Sequence, residues 1–446
     1  MTTTVPVGST GPRRGPWAAG QSLARLLRQP RHPWIWTAFT AIVAVGMAIA
    51  RRPDSIFHAQ FWAEDGHDWF SDAYNWGWLT STVTPHTGYF QTISRVTADL
   101  SLLVNFTQAP LVFNSVALLI QVLPAVLFVT PRFQRVVPDF RLRFLVALLY
   151  VAIPNSYELD ANITNAMTHL ALLAALIILA RPSPRLGWKV FDVFWLVLSG
   201  LSGPFVIALA PVAVLRWLTD RKSGWRTTVM MVVAACAATQ AITVLVTGAT
   251  TRPHPPLGAT PHGFMAIIAG NVFSGAVVGL LNYTRIFYQP WWEPHSLALR
   301  VTFFAGIGAV IYAAIRGPVE LRLFTLFAWA VLLASMMTPV LTLTGDQWPL
   351  LSHPGAGNRY YLLPMLSFLA SILWIAFKSG PVLLRLPAAA VVVAVLLLGV
   401  PADWSYPRYT DLQPEHYAQV FNSTSPGGRV KIPINPPGWD IEVTKK

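Results

Sequence analysis

Four carboxylates gather in one short, aromatic-rich stretch near the N-terminus. Residues 61–72 read FWAEDGHDWFSD and hold Glu64, Asp65, Asp68 and Asp72, although only 11% of the whole chain is charged. At about 100° per residue, the three aspartates fall on one stripe of a helix. A carboxylate held in place can take the proton of an attacking hydroxyl, which is general-base chemistry. The alternative is a solvent-exposed loop whose acidic side chains have no specific role.

Tryptophan occurs in the same stretch at helical spacing. Trp62, Trp69 and Trp76 fall on a stripe next to that of the aspartates. Tryptophan is favoured where a membrane meets water. The spacing therefore predicts a helix that lies in the interface, with its acids facing water or a site.

The same residues offer donors for a divalent cation, but their spacing disfavours one. Glu64, Asp65, His67 and Asp68 are neighbours in sequence, and adjacent side chains point apart on a helix. Glu158 and Asp160 form only a short acidic pair of their own. We therefore expect no metal and no other cofactor, with a divalent cation as the less favoured alternative. Walker A, GxSxG and HExxH motifs do not occur.

The composition is that of a protein that crosses a membrane many times. The 446 residues are 54% hydrophobic, and the mean hydropathy is +0.49. We predict an all-α polytopic membrane protein of about 11 transmembrane helices with interfacial helices in its outer loops. The predicted spans are 34–50, 111–130, 144–154, 164–180, 190–200, 203–218, 227–247, 298–315, 322–340, 361–377 and 386–401.

The charges alternate between the connections, which explains the net charge of +13. Most of the 32 basic residues lie in every second connection, and most of the 19 acids lie in the others. The positive-inside rule places the basic connections in the cytoplasm, so a nucleic-acid partner is not needed. The basic segments are 13–31, 132–143, 181–189, 216–226, 316–322 and 378–385. Arg51 and Arg52, at the outer end of the first span, oppose the rule.

This topology defines the domains. Residues 1–33 form a disordered, basic cytoplasmic N-terminus, and residues 34–401 form the multi-spanning membrane domain. The long outer loops are 51–110, 248–297 and 341–360, and the tail 402–446 also lies outside. Within the second of these loops, 264–281 is apolar and is predicted to be interfacial or re-entrant. In the tail, RVKIPI and WDIEV flank INPPG and predict a β-hairpin.

Several short motifs lie in the outer connections, namely FWAEDG, GYFQTISR, ELDANITN, LSGPF and GNRYYLLP. Together with the layout of 34–440, they resemble the GT-C class of glycosyltransferases. These are bacterial membrane enzymes that use polyprenyl-phosphate-linked sugars as donors. The resemblance implies a GT-C-like fold in the plasma membrane. It also implies an acceptor in the cell envelope, which is a glycan, a lipid or a protein.

The resemblance also implies roles for individual residues. The general base of the first outer loop is Asp65 or Glu64, and either can instead serve only to cap a helix. Arg359 binds the donor phosphate, with Arg285 and Arg95 in reserve, because arginine matches phosphate with two donors. Arg359 can equally be an interfacial anchor, and Arg95 can simply pair with Asp99. The candidate contacts to sugar or acceptor are Glu158, Asn162, Asn165, His169, His86, Tyr89 and Tyr360.

Two other functions fit the sequence. A transporter or flippase of lipid-linked sugar or polysaccharide is the first, but such proteins usually carry charged sites near the middle of the bilayer. Here the predicted spans are nearly free of charge, and the polar residues gather in the outer loops. A non-catalytic membrane scaffold is the second, and it predicts that each outer acid can be removed without effect.

Overall fold

The computed structural model describes residues 30, 32–251, 253–293, 296–378 and 381–446. The predicted N-terminal segment 1–33 lies largely outside these residues. The described part of the chain is mostly helical, with one small sheet near the C-terminus.

The first half of the chain alternates long helices with short ones. The α-helices are α1 (Pro33–Arg51), α2 (Asp54–Phe57), α3 (Ser71–Trp76), α4 (Trp78–Val83), α5 (Thr92–Ser101), α6 (Ala109–Val129), α7 (Phe140–Val151), α8 (Ala166–Leu179), α9 (Leu186–Gly200), α10 (Phe205–Leu218) and α11 (Gly224–Thr251). A π-helix, Asp65–Phe70, leads directly into α3. Short 3₁₀ turns at Phe106–Gln108 and Pro131–Phe133 flank α6.

The second half continues in the same way and ends in two strands. Its α-helices are α12 (Pro261–Ile267), α13 (Gly275–Phe287), α14 (Leu297–Arg316), α15 (Val319–Met337), α16 (Gln347–Leu351), α17 (Leu362–Lys378), α18 (Val382–Ala394), α19 (Val400–Ala402) and α20 (Pro414–Ser423). Two π-helices, Ile268–Ser274 and Val395–Gly399, join α12 to α13 and α18 to α19. The 3₁₀ turns are Pro290–Trp292 and Asn358–Tyr360, and the strands are β1 (Arg429–Ile434) and β2 (Trp439–Thr444).

Every predicted span coincides with a helix, to within a few residues. Among the described residues, 7 helical segments are long and apolar enough to cross a membrane. They are Pro33–Arg51, Phe106–Val129, Gly224–Thr247, Pro261–Phe287, Leu297–Arg316, Val319–Met337 and Val382–Ala402. Ala166–Leu179, Phe205–Leu218 and Leu362–Lys378 are apolar but shorter. The protein is thus a polytopic helical membrane protein, whereas a total of about 11 spans stays a prediction.

The segment Pro261–Phe287 does not run straight, although its length and composition suffice for a crossing. Its backbone breaks at Gly279, where φ is 80° and ψ is 164°. The part after the break folds back, so that the Tyr283 hydroxyl lies against Gly270. The first arm is the part of the segment before Gly279. The residues at its start and at its finish both contact other segments on one side of the bundle. The carbonyl of Leu257 accepts from Trp348 at its start, and Gly279 packs against Gly399 at its finish. The interfacial or re-entrant course of 264–281 stays a prediction.

Asp403 fixes the break at Gly279. Its carboxylate accepts hydrogen bonds from the backbone N–H groups of Leu280 and Leu281, which begin the second arm, and from that of Asn155. A carboxylate on free N–H groups at a helix start is stabilising. Asp403 therefore joins the segment Pro261–Phe287 to loop 155–165.

Buried ion pairs hold the opposite end of the bundle. Arg132 donates through both Nη atoms to the two carboxylate oxygens of Asp192 on α9, at 2.6 and 2.8 Å. Trp225 of α11 donates to the same carboxylate. Paired and hydrogen-bonded charges of this kind can remain buried. These contacts involve connections that the sequence predicts to be cytoplasmic.

The predicted β-hairpin is confirmed. β1 and β2 are antiparallel, and Ile434 pairs with Trp439 next to the turn. Ile432, Ile434 and Ile441 form a buried face that packs on the π-helix Asp65–Phe70. Gly66 permits this approach, because a Cβ there would lie 2.8 Å from Ile434 Cδ1 and 2.9 Å from Ile441 Cγ1. The C-terminal tail therefore covers the stretch of clustered acids.

Candidate functional site

The stretch of four acids forms a turn, residues 64–72, that is wider than an α-helix. Its hydrogen bonds follow the i→i+5 pattern of a π-helix between Asp65 and Phe70. The single stripe of three aspartates expected for an α-helix is therefore wrong. Asp65 points towards loop 155–165, whereas Asp72 points towards α5. π-helical turns are frequently found at functional sites.

The tryptophans of this stretch also separate. Trp69 is fully buried, and its indole N–H donates to the Thr164 hydroxyl. Trp62 precedes the π-helix and forms a bridge to Asn435 of the tail. Only Trp76 is exposed, together with Trp78 and Leu79 of α4. The predicted interfacial tryptophan stripe is thus wrong for Trp62 and Trp69.

Asp65 is completely buried and fully engaged. Its two oxygens accept from the backbone N–H groups of Ile163 and Thr164, at 3.0 and 2.9 Å, and from the Thr164 hydroxyl at 2.7 Å. Burial raises the pKa of Asp65 to about 7, although these three hydrogen bonds favour the ionised form. The residue joins the acidic turn to loop 155–165, and its carboxylate has no surface open to a substrate.

Asp68 differs from Asp65 in exposure and in hydrogen bonding. No hydrogen bond to its carboxylate occurs among the described residues, and 22% of its side chain is exposed. Its pKa is raised to about 6, mainly by burial and also by Glu64 and Asp72, while the charges of His67 and Arg95 oppose the shift. A carboxylate with a pKa near neutrality and a free face is suited to act as a base.

His86 lies next to Asp68. Its Nε2 lies 3.8 Å from Asp68 Oδ2, which is too long for a hydrogen bond. Burial, with the charges of Arg95 and His67, lowers the pKa of His86 to about 4, so the ring is neutral at pH 7. The ring packs edge-on against Trp69 at 4.8 Å between centroids. Tyr89 holds this loop by exchanging backbone hydrogen bonds with His86.

Arg95 supplies positive charge beside Asp72 and near Asp68. It is buried, and its Nη1 donates to Asp72 at 2.5 Å and to the Ser81 hydroxyl at 3.4 Å. Its guanidinium also stacks over Trp69, at 4.8 Å. The predicted pair with Asp99 is wrong, because Asp99 instead accepts from the Thr82 hydroxyl. Arg95 therefore binds an acid of the adjacent turn rather than the one on its own helix.

Loop 155–165 lies at the centre of the loop-bearing end of the bundle. Asp160 accepts from Arg51, Ser156 and Tyr406, which belong to three different segments. Arg52 donates to two backbone carbonyls of this loop, those of Tyr157 and Asp160. Its guanidinium is surrounded by four aromatic rings, those of Trp62, Tyr157, Tyr406 and Tyr409. This burial explains why Arg51 and Arg52 oppose the positive-inside rule, since they bind protein groups.

Arg359 and Glu158 join the late loop 341–360 to loop 155–165. Arg359 Nη1 donates to Glu158 Oε1, and the backbone N–H of Arg359 donates to Oε2 at 3.3 Å. The side chains of Asn162 and Asn165 both donate to the carbonyl of Glu158. These two asparagines are buried and therefore shape the loop. Tyr360 stacks on the Arg359 guanidinium at 5.0 Å.

The three predicted phosphate ligands have separate surroundings. Arg95 binds Asp72, Arg359 binds Glu158, and Arg285 is exposed on α13 and contacts Asn282 at 3.4 Å. His169, a predicted sugar contact, is buried inside α8 beside Tyr150 and Asp160. No contact therefore joins the three arginines, and His169 belongs to the interior of the protein.

A half-open apolar cavity lies beside the segment Pro261–Phe287. Its volume is about 620 Å³. Four elements line it, represented by Phe273, Gly306, Phe368 and Pro387. Ile286 also lines it, and the exposed Arg285 is its neighbour in sequence. An apolar cavity of this kind is suited to the hydrocarbon chain of a lipid.

Asp68 and the arginine pair Arg51 and Arg52 are the residues whose importance the sequence does not reveal. The position of Asp68 in the acidic stretch 61–72 marks it as a candidate, but nothing in the sequence distinguishes it from Asp65. The described residues contain no group of three or more His, Cys, Asp or Glu side chains that could hold a metal ion. Comparison with models of protein families and with curated proteins found no match for this chain.

Proposed function

We propose that the protein is a membrane glycosyltransferase with Asp68 as its general base. It would move a sugar from a polyprenyl-phosphate donor to an acceptor in the cell envelope. One observation carries the proposal: Asp68 combines a free, partly exposed carboxylate with a pKa raised to about 6. It lies among the aromatic and charged side chains of the first outer loop, as a base that faces a lipid-linked substrate should.

In the proposed reaction, Asp68 accepts the proton of an acceptor hydroxyl. The hydroxyl oxygen then forms a bond to the anomeric carbon of the sugar. The bond between that carbon and the phosphate oxygen breaks, and its electron pair leaves with the polyprenyl phosphate. Glu64, which is half-buried at the start of the same turn, is the second carboxylate available for this role. Asp65 acts as a positioning residue, because its hydrogen bonds hold the turn against loop 155–165.

The lipid-linked donor is supported by the helices of the membrane domain, whose apolar cavity is lined by other residues than those around Asp68. The described helices include several that are able to cross a membrane, and the apolar cavity of about 620 Å³ opens among them. Arg359 and Arg285 are partly or fully exposed and could bind the phosphate that leaves. Arginine matches phosphate geometry, and a buried or half-buried setting strengthens the attraction.

The test is transfer from a synthetic polyprenyl-phosphate sugar by purified protein in detergent. Asp68→Asn should lower turnover by about 10²-fold or more, the usual effect of removing a general base. Wild-type turnover should fall as the pH drops through about 6, because a protonated Asp68 cannot accept a proton. Asp411→Asn, an exposed acid of the tail, is the matched control and should keep normal turnover.

Glu64→Gln is assayed in parallel to separate the two carboxylates. If only Glu64→Gln is impaired, the role of base passes to Glu64. If both variants turn over normally, neither Asp68 nor Glu64 is the base. If the wild-type protein shows no transfer, the scaffold function replaces the transferase.

A further inference from the structure

Arg359 and its own backbone form an anion site that another part of the protein occupies. The guanidinium and the backbone N–H of Arg359 bind the two oxygens of the Glu158 carboxylate. A guanidinium combined with a backbone N–H is also a donor set for phosphate oxygens. Gly357, with φ of 68°, makes the turn that directs this N–H, and Arg359 Nη2 is fixed on the Val340 carbonyl at 2.7 Å.

This pair is open, unlike the other arginine–carboxylate pairs at the same end of the bundle. The side chains of Arg359 and Glu158 are 33% and 22% exposed. Those of Arg51 and Asp160 are 1% and 5% exposed. Water reaches both side chains and screens part of their attraction, so a ligand of higher charge can replace one partner. The Arg51 pair is closed to any such exchange.

The backbone around Glu158 can stay in place when its carboxylate leaves. Its carbonyl is held by Asn162 and Asn165, at 2.6 and 3.0 Å. The carboxylate accepts only from Arg359 among the described residues. Rotation of one side chain is therefore enough to uncover the anion site, without any change in loop 155–165.

We infer that Glu158 is a built-in competitor for the phosphate of the lipid ligand, occupying the Arg359 site until that phosphate displaces it. The identity of the ligand rests on the proposed function. A sugar linked through phosphate to a polyprenyl chain carries one negative charge there, and the released polyprenyl phosphate carries up to two. Return of the Glu158 carboxylate to Arg359 would then favour release of the product, which otherwise binds Arg359 most strongly.

The experiment measures binding of farnesyl phosphate, a short isoprenyl monophosphate, to purified protein in detergent. Glu158→Gln keeps the shape of the side chain but removes its charge, so it should bind the probe about tenfold more tightly than wild type. Glu158→Asp withdraws the carboxylate by one methylene, so its affinity for the probe should lie between those of wild type and Glu158→Gln. Glu442→Gln, which removes an acid paired with Lys431 on the hairpin, should bind as wild type does.

Farnesol and inorganic phosphate separate the alternatives. Farnesol has no charge, so its binding should be equal in wild type and Glu158→Gln. Equal affinities of all variants for farnesyl phosphate, or an equal gain for farnesol, would overturn the inference. If inorganic phosphate binds as tightly as farnesyl phosphate, the lipid assignment is overturned, because the isoprenyl chain then contributes nothing to the affinity.

This assay does not depend on turnover. Tighter binding by Glu158→Gln in a protein that shows no transfer would retain the competitor and reject the transferase. Normal transfer, together with equal binding of farnesyl phosphate by wild type and Glu158→Gln, would retain the transferase and reject the competitor.

Discussion

At the scale of single residues, the burial of a carboxylate decides what it can do. Asp65 and Asp68 are three positions apart, and burial raises the pKa of both. Asp65 accepts three hydrogen bonds and is inaccessible, whereas Asp68 keeps a free face. The first therefore stabilises the loops, and the second is available to a substrate.

Asp65→Asn should destabilise the protein, because asparagine offers one acceptor oxygen to the three donors of Ile163 and Thr164. A buried donor without a partner costs about 1–3 kcal/mol of unfolding free energy. Chemical denaturation in detergent should show this loss, and Asp68→Asn should denature as wild type does. Equal stability of the two variants would contradict the structural role of Asp65.

Single residues were only partly predictable from the sequence. The concentration of acids in 61–72 is visible in the sequence, but its role in a site stays a prediction. Glu158 and Arg359, both predicted to contact a substrate, do come together. The partner of Arg95 was not predictable, because Asp99 is one turn away on the same helix and Asp72 is near only in the folded protein. The roles of Arg51 and Arg52 depend in the same way on loop 155–165, which lies about a hundred positions further along the chain.

At the scale of elements, the acidic turn and the C-terminal hairpin behave as one unit. Gly66 lies under Ile434 and Ile441, and His67 and Asn75 bind carbonyls of β2. The hairpin itself was predictable because turn residues separate two strand-forming runs. Its place on the acidic turn was not, nor was the π-helical geometry that divides Asp65 from Asp68.

Gly66→Val should loosen the hairpin, because a larger side chain cannot fit below the two isoleucines. Overpacking of this kind costs about 1–3 kcal/mol, so trypsin should cut at Arg429 and Lys431 about tenfold faster. Gly46→Val is the control, since a Cβ at Gly46 would contact nothing within 4 Å. Cleavage at the same rate in both variants would show that the hairpin does not depend on Gly66.

At the scale of the whole molecule, the loops that the sequence predicts to be outside meet at one end. Arg51, Asp160 and Asp403 are in contact there, as are Ala63 and Asn435. Basic residues of the predicted inner connections form pairs at the other end, such as Arg132 with Asp192. The positions of the helices were predictable from apolar stretches of the sequence. The bend of Pro261–Phe287 at Gly279 was not, because no sequence pattern indicates it.

The direction in which the bundle faces remains a prediction, with the N-terminus inside and the C-terminus outside. Single cysteines at Thr84 and Ser423, in a Cys236→Ser background, should react with a membrane-impermeant reagent in intact cells. A cysteine at Lys222, which is exposed at the other end, should react only after the membrane is opened. Labelling of Lys222→Cys alone in intact cells would reverse the orientation.

The contact between the tail and the first loop sets an order of events during synthesis. A chain is made from its N-terminus, so residues 61–72 leave the ribosome long before β1 and β2 exist. Asn435 supplies the carbonyl that binds Ala63, and Ile434 and Ile441 supply the apolar cover of Gly66. The acidic turn therefore cannot complete its fold until β1 and β2 have been translated and delivered to the same side of the membrane. A chain interrupted before the hairpin would lack the packed form of this turn.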